Sequence, residues 1–177
     1  MRAEVYWVKN EEPGRVGIVP RPRGNDWLED EVSAWRLSGI DVVVSLLTSA
    51  EVEEFGLQAE EAECNKCGIR FLSFPVQDRG IPLSRDAAVA LADDLAGEIA
   101  RGRSVVVHCR QSIGRSALMA SMVLARMGQK PGRALLAVQD ARGRPVPDTE
   151  EQRAWVLAAG KDGAISVSGV RESEKDR

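Results

Sequence analysis

Two runs of apolar residues constrain the fold of this chain more than any other feature. Asp41–Leu47 and Ser104–His108 each contain three consecutive valines. A strand with one face in water alternates apolar and polar residues, whereas a nearly continuous β-branched run is typical of a strand covered on both faces. Both runs are therefore predicted to be central strands of a sheet that lies between other layers.

Three shorter apolar runs, bounded by glycine, proline, aspartate and asparagine, predict further strands at Val5–Val8, Val16–Val19 and Ile69–Phe74. Helical patterns alternate with these strands. The predicted helices span residues 27–37, 50–55, 85–100, 115–127, 131–141 and 150–159. This alternation predicts an α/β fold in which a central, mostly parallel sheet of roughly five strands is flanked by helices.

Several of these helices begin with a capping signal. We expect Asn25 and Asp26 to cap the first helix, a Thr48-x-x-Glu51 capping box to start the second, and Ser84 to cap the third. From Arg115 the apolar residues surround the helix axis, which predicts a helix buried in the middle of the fold.

Composition narrows the class of protein. The 177 residues are 44% hydrophobic, which suits one domain, predicted over residues 1–162. Residues 163–177 have little periodicity and end in charged residues, so a flexible C-terminal tail is predicted. The net charge of −3 without a basic run argues against nucleic-acid binding. No long apolar stretch occurs, so we expect no membrane association and a cytoplasmic location.

The segment Val105–Ser116 carries the chemistry. A buried strand leads to Cys109, a short loop follows, and a buried helix begins near Arg115. Backbone N–H groups of such a loop, together with a helix N-terminus, can bind an anion and favour a cysteine thiolate. Arg115 would add a planar, two-pronged donor for phosphate oxygens. The predicted phosphate-binding loop consists of Arg110, Gln111, Ser112, Ile113 and Gly114.

The pattern His108-Cys109, five residues, Arg115-Ser116 resembles the signature of the protein tyrosine and dual-specificity phosphatase superfamily, in its compact dual-specificity branch. The resemblance implies that Cys109 forms a phosphocysteine and that Arg115 holds the phosphoryl oxygens. It also implies that Ser116 stabilises the thiolate as a leaving group, and that His108 orders the loop and helps to keep the neighbouring thiol of Cys109 ionised. In that family the reaction needs no metal and no cofactor.

A general acid is expected on a loop opposite the nucleophile, because the leaving oxygen must be protonated. The segment Pro75–Pro82 follows a predicted strand and contains a single carboxylate, Asp78. It resembles the Pro-x-x-Asp-x-x-x-Pro acid loop of the family. Asp78 is thus predicted to be the general acid and then the general base, although aspartate is also a common turn residue.

Three weaker sequence features each allow a functional and a structural interpretation. The segment Pro147–Gln152 resembles the one that packs near the phosphate loop in this superfamily, where some members use a glutamine to position water. Gln152 could have that role, or it could close a Thr149-x-x-Gln152 capping box. Arg142 and Arg144 could brace the loop or be exposed. Cys64 and Cys67 form a lone C-x-x-C without further ligands, which argues against zinc and makes a redox role weak.

The predicted function is hydrolysis of phosphomonoesters, in phosphorylated proteins or small molecules. Ser112 departs from the family, in which glycine is common at this position, and strain there would affect turnover more than binding. A phosphate-binding module with weak catalysis is therefore one alternative, and a rhodanese-like sulfurtransferase is another. The sequence leaves open the natural substrate, with nucleotides, RNA ends and inositol phosphates among the choices, and the oligomeric state.

Overall fold

The computed structural model describes residues 3–161, so the predicted tail at 163–177 lies outside the described residues. A five-stranded sheet has the order β1-β2-β5-β3-β4, in which β1 is antiparallel to β2 and the other neighbours are parallel. The strands are β1 Tyr6–Trp7, β2 Arg15–Pro20, β3 Val42–Ser45, β4 Arg70–Ser73 and β5 Ser104–Cys109. The predicted α/β fold with a mostly parallel sheet is confirmed.

Seven α-helices flank this sheet within residues 3–161. They are α1 Leu28–Leu37, α2 Ser49–Glu54, α3 Glu60–Lys66, α4 Arg85–Ala100, α5 Arg115–Arg126, α6 Pro131–Arg142 and α7 Glu150–Leu157. Short 3₁₀ helices precede α1 and follow α7, at Asn25–Trp27 and Ala158–Lys161. Six of the seven α-helices match predicted segments to within two residues at each end.

The two valine runs form β3 and β5, and every residue of both strands is buried. Apolar side chains form one cluster on each face of the sheet. The larger cluster includes residues of α4, α5, α6 and α7, and the other includes residues of α1 and α3. In α5 all residues from Arg115 to Leu124 are buried, as the all-round apolar pattern predicts. This helix thus fixes the loop that precedes it.

Two sequence expectations about helices are corrected. Asn25 and Asp26 do not cap α1, which begins after Trp27 without a side-chain cap. Instead Asn25 has a φ of 52° and its N–H donates to the carbonyl of Gly56, so a tertiary contact sets this turn. Helix α3 was not predicted, because its seven residues are mostly charged and show little apolar periodicity. In the described part of the chain, no helix is long and apolar enough to span a membrane.

Candidate active site

A cavity of about 310 Å³ lies at the carboxyl end of β5. It brings together residues that are far apart in the sequence, including most of the predicted site residues. Its lining consists of Asp78, Arg79, Cys109, Arg110, Gln111, Ile113, Gly114, Arg115 and Asp148. Arg79 and Asp148 lie in segments that were expected near the site, but neither was named as a site residue.

Cys109 is the last residue of β5, is 3% exposed and lines this cavity. Its Sγ lies 3.4 Å from the Oγ of Ser116, which is the second residue of α5 and is fully buried. With a thiolate at Cys109 the hydroxyl of Ser116 is the donor. This contact is the one that the predicted role of Ser116 requires.

The loop between β5 and α5 has two unusual positions. Ser112 adopts a φ of 57°, the left-handed region in which a side chain is strained. It is fully buried, and its hydroxyl has no hydrogen-bond partner among the described residues. Gly114 precedes α5, and no side chain caps the helix there. The first N–H groups of α5 are therefore available to an anion.

Gly114 is needed for packing, because its surroundings leave no room for a side chain. A Cβ atom at this position would lie 3.0 Å from the amide oxygen of Gln152 and 3.2 Å from the Cβ of Asp148. The loop is thus pressed against the segment that begins α7.

Arg115 is 1% exposed, and its guanidinium is held by four groups. Its Nη1 donates to Glu51 Oε2 at 2.7 Å, to the Val76 carbonyl at 2.9 Å and to the Leu46 carbonyl at 3.4 Å. Its Nη2 donates to Glu51 Oε1 at 2.8 Å and lies 3.1 Å from Asp78 Oδ1. Among residues 3–161, none of these contacts involves Nε of Arg115. The Nε edge of the guanidinium is therefore available to an oxyanion.

Glu51 is a site residue that sequence reasoning missed. The Thr48-x-x-Glu51 capping box is confirmed, with both of its reciprocal hydrogen bonds present. The same carboxylate, however, also clamps the guanidinium of Arg115. Burial acts to raise the pKa of Glu51, but hydrogen bonds from Arg115 and Thr48 and the guanidinium charge outweigh it and lower the pKa to about 2. The carboxylate of Glu51 is therefore charged in the folded protein at neutral pH.

The same contacts affect the guanidinium. Burial acts to lower the pKa of Arg115, but the hydrogen bonds that it donates to Glu51 and the nearby negative groups outweigh this effect and raise the pKa. Arg115 is therefore a permanent cation in the cavity.

Asp78 lies on the loop between β4 and α4, with its side chain 57% exposed at the mouth of the cavity. Its Oδ1 accepts from the backbone N–H of Arg79 at 3.1 Å as well as contacting Arg115. Arg79 has a φ of 59°, and its side chain pairs with Asp148 at 3.0 Å. The predicted acid and the predicted phosphate-binding arginine are thus in direct contact.

Gln152 is fully buried behind the acid loop. Its amide oxygen accepts from the N–H of Thr149 at 3.3 Å, and its amide nitrogen donates to the carbonyl of Gly80 at 2.9 Å. The capping-box interpretation is confirmed. Both polar atoms of the amide are hydrogen-bonded, and Gln152 is not among the residues that line the cavity. These contacts do not favour a water-positioning role, which stays a prediction.

His108 is fully buried on the other face of the sheet from the sulfur. Its ring centroid lies 6.0 Å from that of Trp35, and its Nε2 lies 2.8 Å from Glu60 Oε1. The contact with Glu60 comes from α3, the helix that the sequence did not predict.

Arg142 braces the loop from behind. Its Nε donates to the Ser112 carbonyl at 3.1 Å and its Nη2 to the Gln111 carbonyl at 3.4 Å. The guanidinium also stacks 4.3 Å from the ring centre of Tyr6. Arg144 is exposed. Of the two predicted alternatives, bracing the loop therefore applies to Arg142 and exposure to Arg144.

All three cysteines are free thiols. Burial, with the charge of Glu60, raises the pKa of Cys64 to about 12, so this sulfur stays protonated. Among the described residues, no group of three or more His, Cys, Asp or Glu side chains is arranged to hold a metal ion.

The family model that matches this chain describes a phosphatase domain of the dual-specificity and protein tyrosine type. More particularly, the chain belongs to the family described as "Polymorphic toxin system, DSP-PTPase phosphatase", whose model matches residues 17–129. This match begins within β2 and continues to the end of α5, with Cys109 and Arg115 inside it. The superfamily resemblance drawn from the sequence is thereby confirmed.

Solved phosphatase structures share the fold. Kinase associated phosphatase superposes with a TM-score of 0.80 at 17% identity, over 92% of this chain and 96% of that chain. A protein tyrosine phosphatase from Leishmania major gives a TM-score of 0.68 at 16% identity, over 87% and 97%. A mouse dual specificity phosphatase, solved with zinc tungstate, gives 0.64 at 18% identity, over 92% and 91%. At these identities the likeness concerns the fold alone, and no curated protein matches the sequence.

Proposed function

We propose that this protein hydrolyses phosphomonoesters, in particular phosphotyrosine or phosphoserine and phosphothreonine in proteins, through a phosphocysteine intermediate. The observation that carries the proposal is the convergence of Cys109, Arg115 and Asp78 on one cavity. A nucleophile, a permanent cation and a carboxylic acid are the three groups that this transfer requires.

In the first step the sulfur of Cys109 attacks phosphorus, and the bond from phosphorus to the ester oxygen breaks. Asp78, as a carboxylic acid, gives its proton to the departing oxygen. Arg115 and the N–H groups at the start of α5 stabilise the charge on the phosphoryl oxygens. Because Asp78 contacts Nη2 of Arg115, a phosphate oxygen that binds this nitrogen takes the place of the carboxylate.

In the second step Asp78 accepts a proton from water as the water oxygen bonds to phosphorus. The bond from sulfur to phosphorus breaks and inorganic phosphate is released. The Ser116 hydroxyl, 3.4 Å from the sulfur, donates to the thiolate that leaves. No metal takes part, and a reduced thiol is consistent with the cytoplasmic location that we propose.

Hydrolysis of an aryl phosphate tests the proposal, with EDTA present throughout. C109S is expected to lose turnover by at least about 10⁴-fold while it still binds tungstate, because the oxyanion contacts remain. C67S, which changes a cysteine outside the cavity, is the matched control and should keep wild-type turnover.

Turnover by C109S at the wild-type rate would contradict the proposal. Binding of tungstate without turnover in the wild-type protein would favour the phosphate-binding module. Release of thiocyanate from thiosulfate and cyanide would instead favour the sulfurtransferase alternative.

A further inference from the structure

The pair formed by His108 and Glu60 is not used by the reaction as described above. The two side chains come from β5 and α3, and they are 0% and 2% exposed. Their Nε2 and Oε1 atoms lie 2.8 Å apart. The ring is turned so that this contact lacks the angle of a hydrogen bond, but attraction between charges does not need that alignment.

The surroundings of Glu60 offer few other partners for its charge. Glu60 lines a cleft of about 450 Å³, and Glu53 from α2 and Glu61, the next residue of α3, line the same cleft. Cys64, one turn further along α3, is a protonated thiol. The described residues that line this cleft include no lysine or arginine. A buried carboxylate must be paired or neutralised, and a proton on the imidazole meets that need.

His108 is coupled to the nucleophile through the backbone. It directly precedes Cys109, and alternation along the strand puts the two side chains on opposite faces of the sheet. The carbonyl of His108 accepts from the N–H of Leu46 at 3.0 Å, and the carbonyl of Leu46 accepts from Arg115. The backbone that carries the imidazole is thus linked to Arg115 at the end of the loop. A positive charge on it would lie one residue from the sulfur.

We propose that Glu60 is a positioning residue, which keeps a proton on His108 and thereby favours the thiolate of Cys109. The inference rests on the proposed role of Cys109 as nucleophile. Glu60 touches no substrate, because it lies in the cleft on the other side of the sheet from the sulfur.

The first test is the pH dependence of alkylation of Cys109 by iodoacetamide, measured on the Cys109 peptide by mass spectrometry so that labelling of Cys67 is separated. In E60Q the midpoint of this rate profile is expected to move to higher pH by on the order of one unit. The acidic limb of kcat/KM for an aryl phosphate should move in the same direction. E61Q changes an exposed carboxylate on the same helix and should leave both profiles unchanged.

Two further variants separate a charge effect from general disruption. E60D keeps the charge and should keep a midpoint nearer to that of the wild type than E60Q does. In an H108N background E60Q should cause no additional shift, because the residue through which Glu60 acts is absent. An unchanged midpoint in folded E60Q, or an equal shift in the H108N background, would overturn the proposal.

A measurement on the wild-type protein covers the case in which E60Q does not fold. His108 is the only histidine of the sequence, so in protein without a histidine tag the ¹⁵N signals of imidazole report this ring alone. We expect Nε2 to be protonated and the ring to be positively charged over the pH range in which Cys109 becomes reactive. A neutral ring over that range would refute the inference. Since alkylation needs no turnover, an inactive enzyme would disprove the proposed function without affecting this test.

Discussion

The guanidinium of Arg115 and the carboxylate of Glu51 form a two-pronged ion pair, with N–O distances of 2.7 and 2.8 Å, in the interior beside the cavity. Glu51 is the third residue of α2, whereas Arg115 begins α5. The pair therefore joins two helices that are far apart in the sequence. It also fixes the orientation of the guanidinium.

Removal of this carboxylate should be costly. E51A leaves a buried guanidinium without its main partner, so we expect the free energy of unfolding to fall by about 3–5 kcal/mol. Urea denaturation monitored by tryptophan fluorescence measures it. E54A is the matched control, because Glu54 is exposed on the same helix with only a 3.5 Å contact to Arg110, and it should cost at most about 0.5 kcal/mol. Equal stability of the two variants would show that the pair does not support the fold.

The same carboxylate predicts how stability depends on pH. Its pKa is lowered in the folded protein from 4.5 to about 2, so its contribution is present above pH 4.5 and is lost as the pH falls toward about 2. Unfolding midpoints measured in urea across this range should decline more steeply for the wild type than for E51Q, which has no group to titrate there. Parallel curves for the two proteins would show that Glu51 is not the group responsible.

Asp78 provides a test that separates catalysis from binding. D78N removes the proton donor and should lower kcat for an aryl phosphate by about 10²–10⁴-fold. Affinity for tungstate should stay the same or increase, because the charged carboxylate no longer competes for Nη2 of Arg115. D86N, at an exposed position in α4, is the control and should behave like the wild type. An unchanged kcat in D78N would remove this residue from the mechanism.

Ser112 offers a way to relieve strain in the loop. S112G removes both a side chain in the left-handed region and a buried hydroxyl without a partner, so the free energy of unfolding should rise by about 1 kcal/mol. Turnover should be retained. G114A is the opposite case, because its Cβ would press on Gln152 and Asp148, and it should lower both stability and kcat/KM. A loss of stability in S112G would mean that the hydroxyl has a role that the contacts do not reveal.

The sheet and most helices could be predicted because their signals are local. Continuous apolar runs identify β3 and β5, and capping boxes at Thr48 and Thr149 fix the starts of two helices. The acid loop and the cysteine loop were recognisable for a similar reason, since each is a short contiguous pattern.

The missed features depend on contacts between distant segments. Glu51 has one local role, in its capping box, and one tertiary role, with Arg115, and only the first is visible in the sequence. Glu60 lies in a helix whose charged sequence gives no amphipathic signal, and its partner is on a strand. The cap expected at Asn25 failed because a backbone contact with Gly56 sets that turn instead.

The amide of Gln152 has a consequence for motion. By accepting from Thr149 at the start of α7 and donating to Gly80 two residues after Asp78, it ties the last helix to the turn that carries the acid. Asp78 therefore cannot move far from the sulfur of Cys109 unless the Gln152 amide loses one of these two hydrogen bonds. Whatever loosens the first turn of α7 would also release the acid loop, so hydrogen exchange in these two segments should rise together.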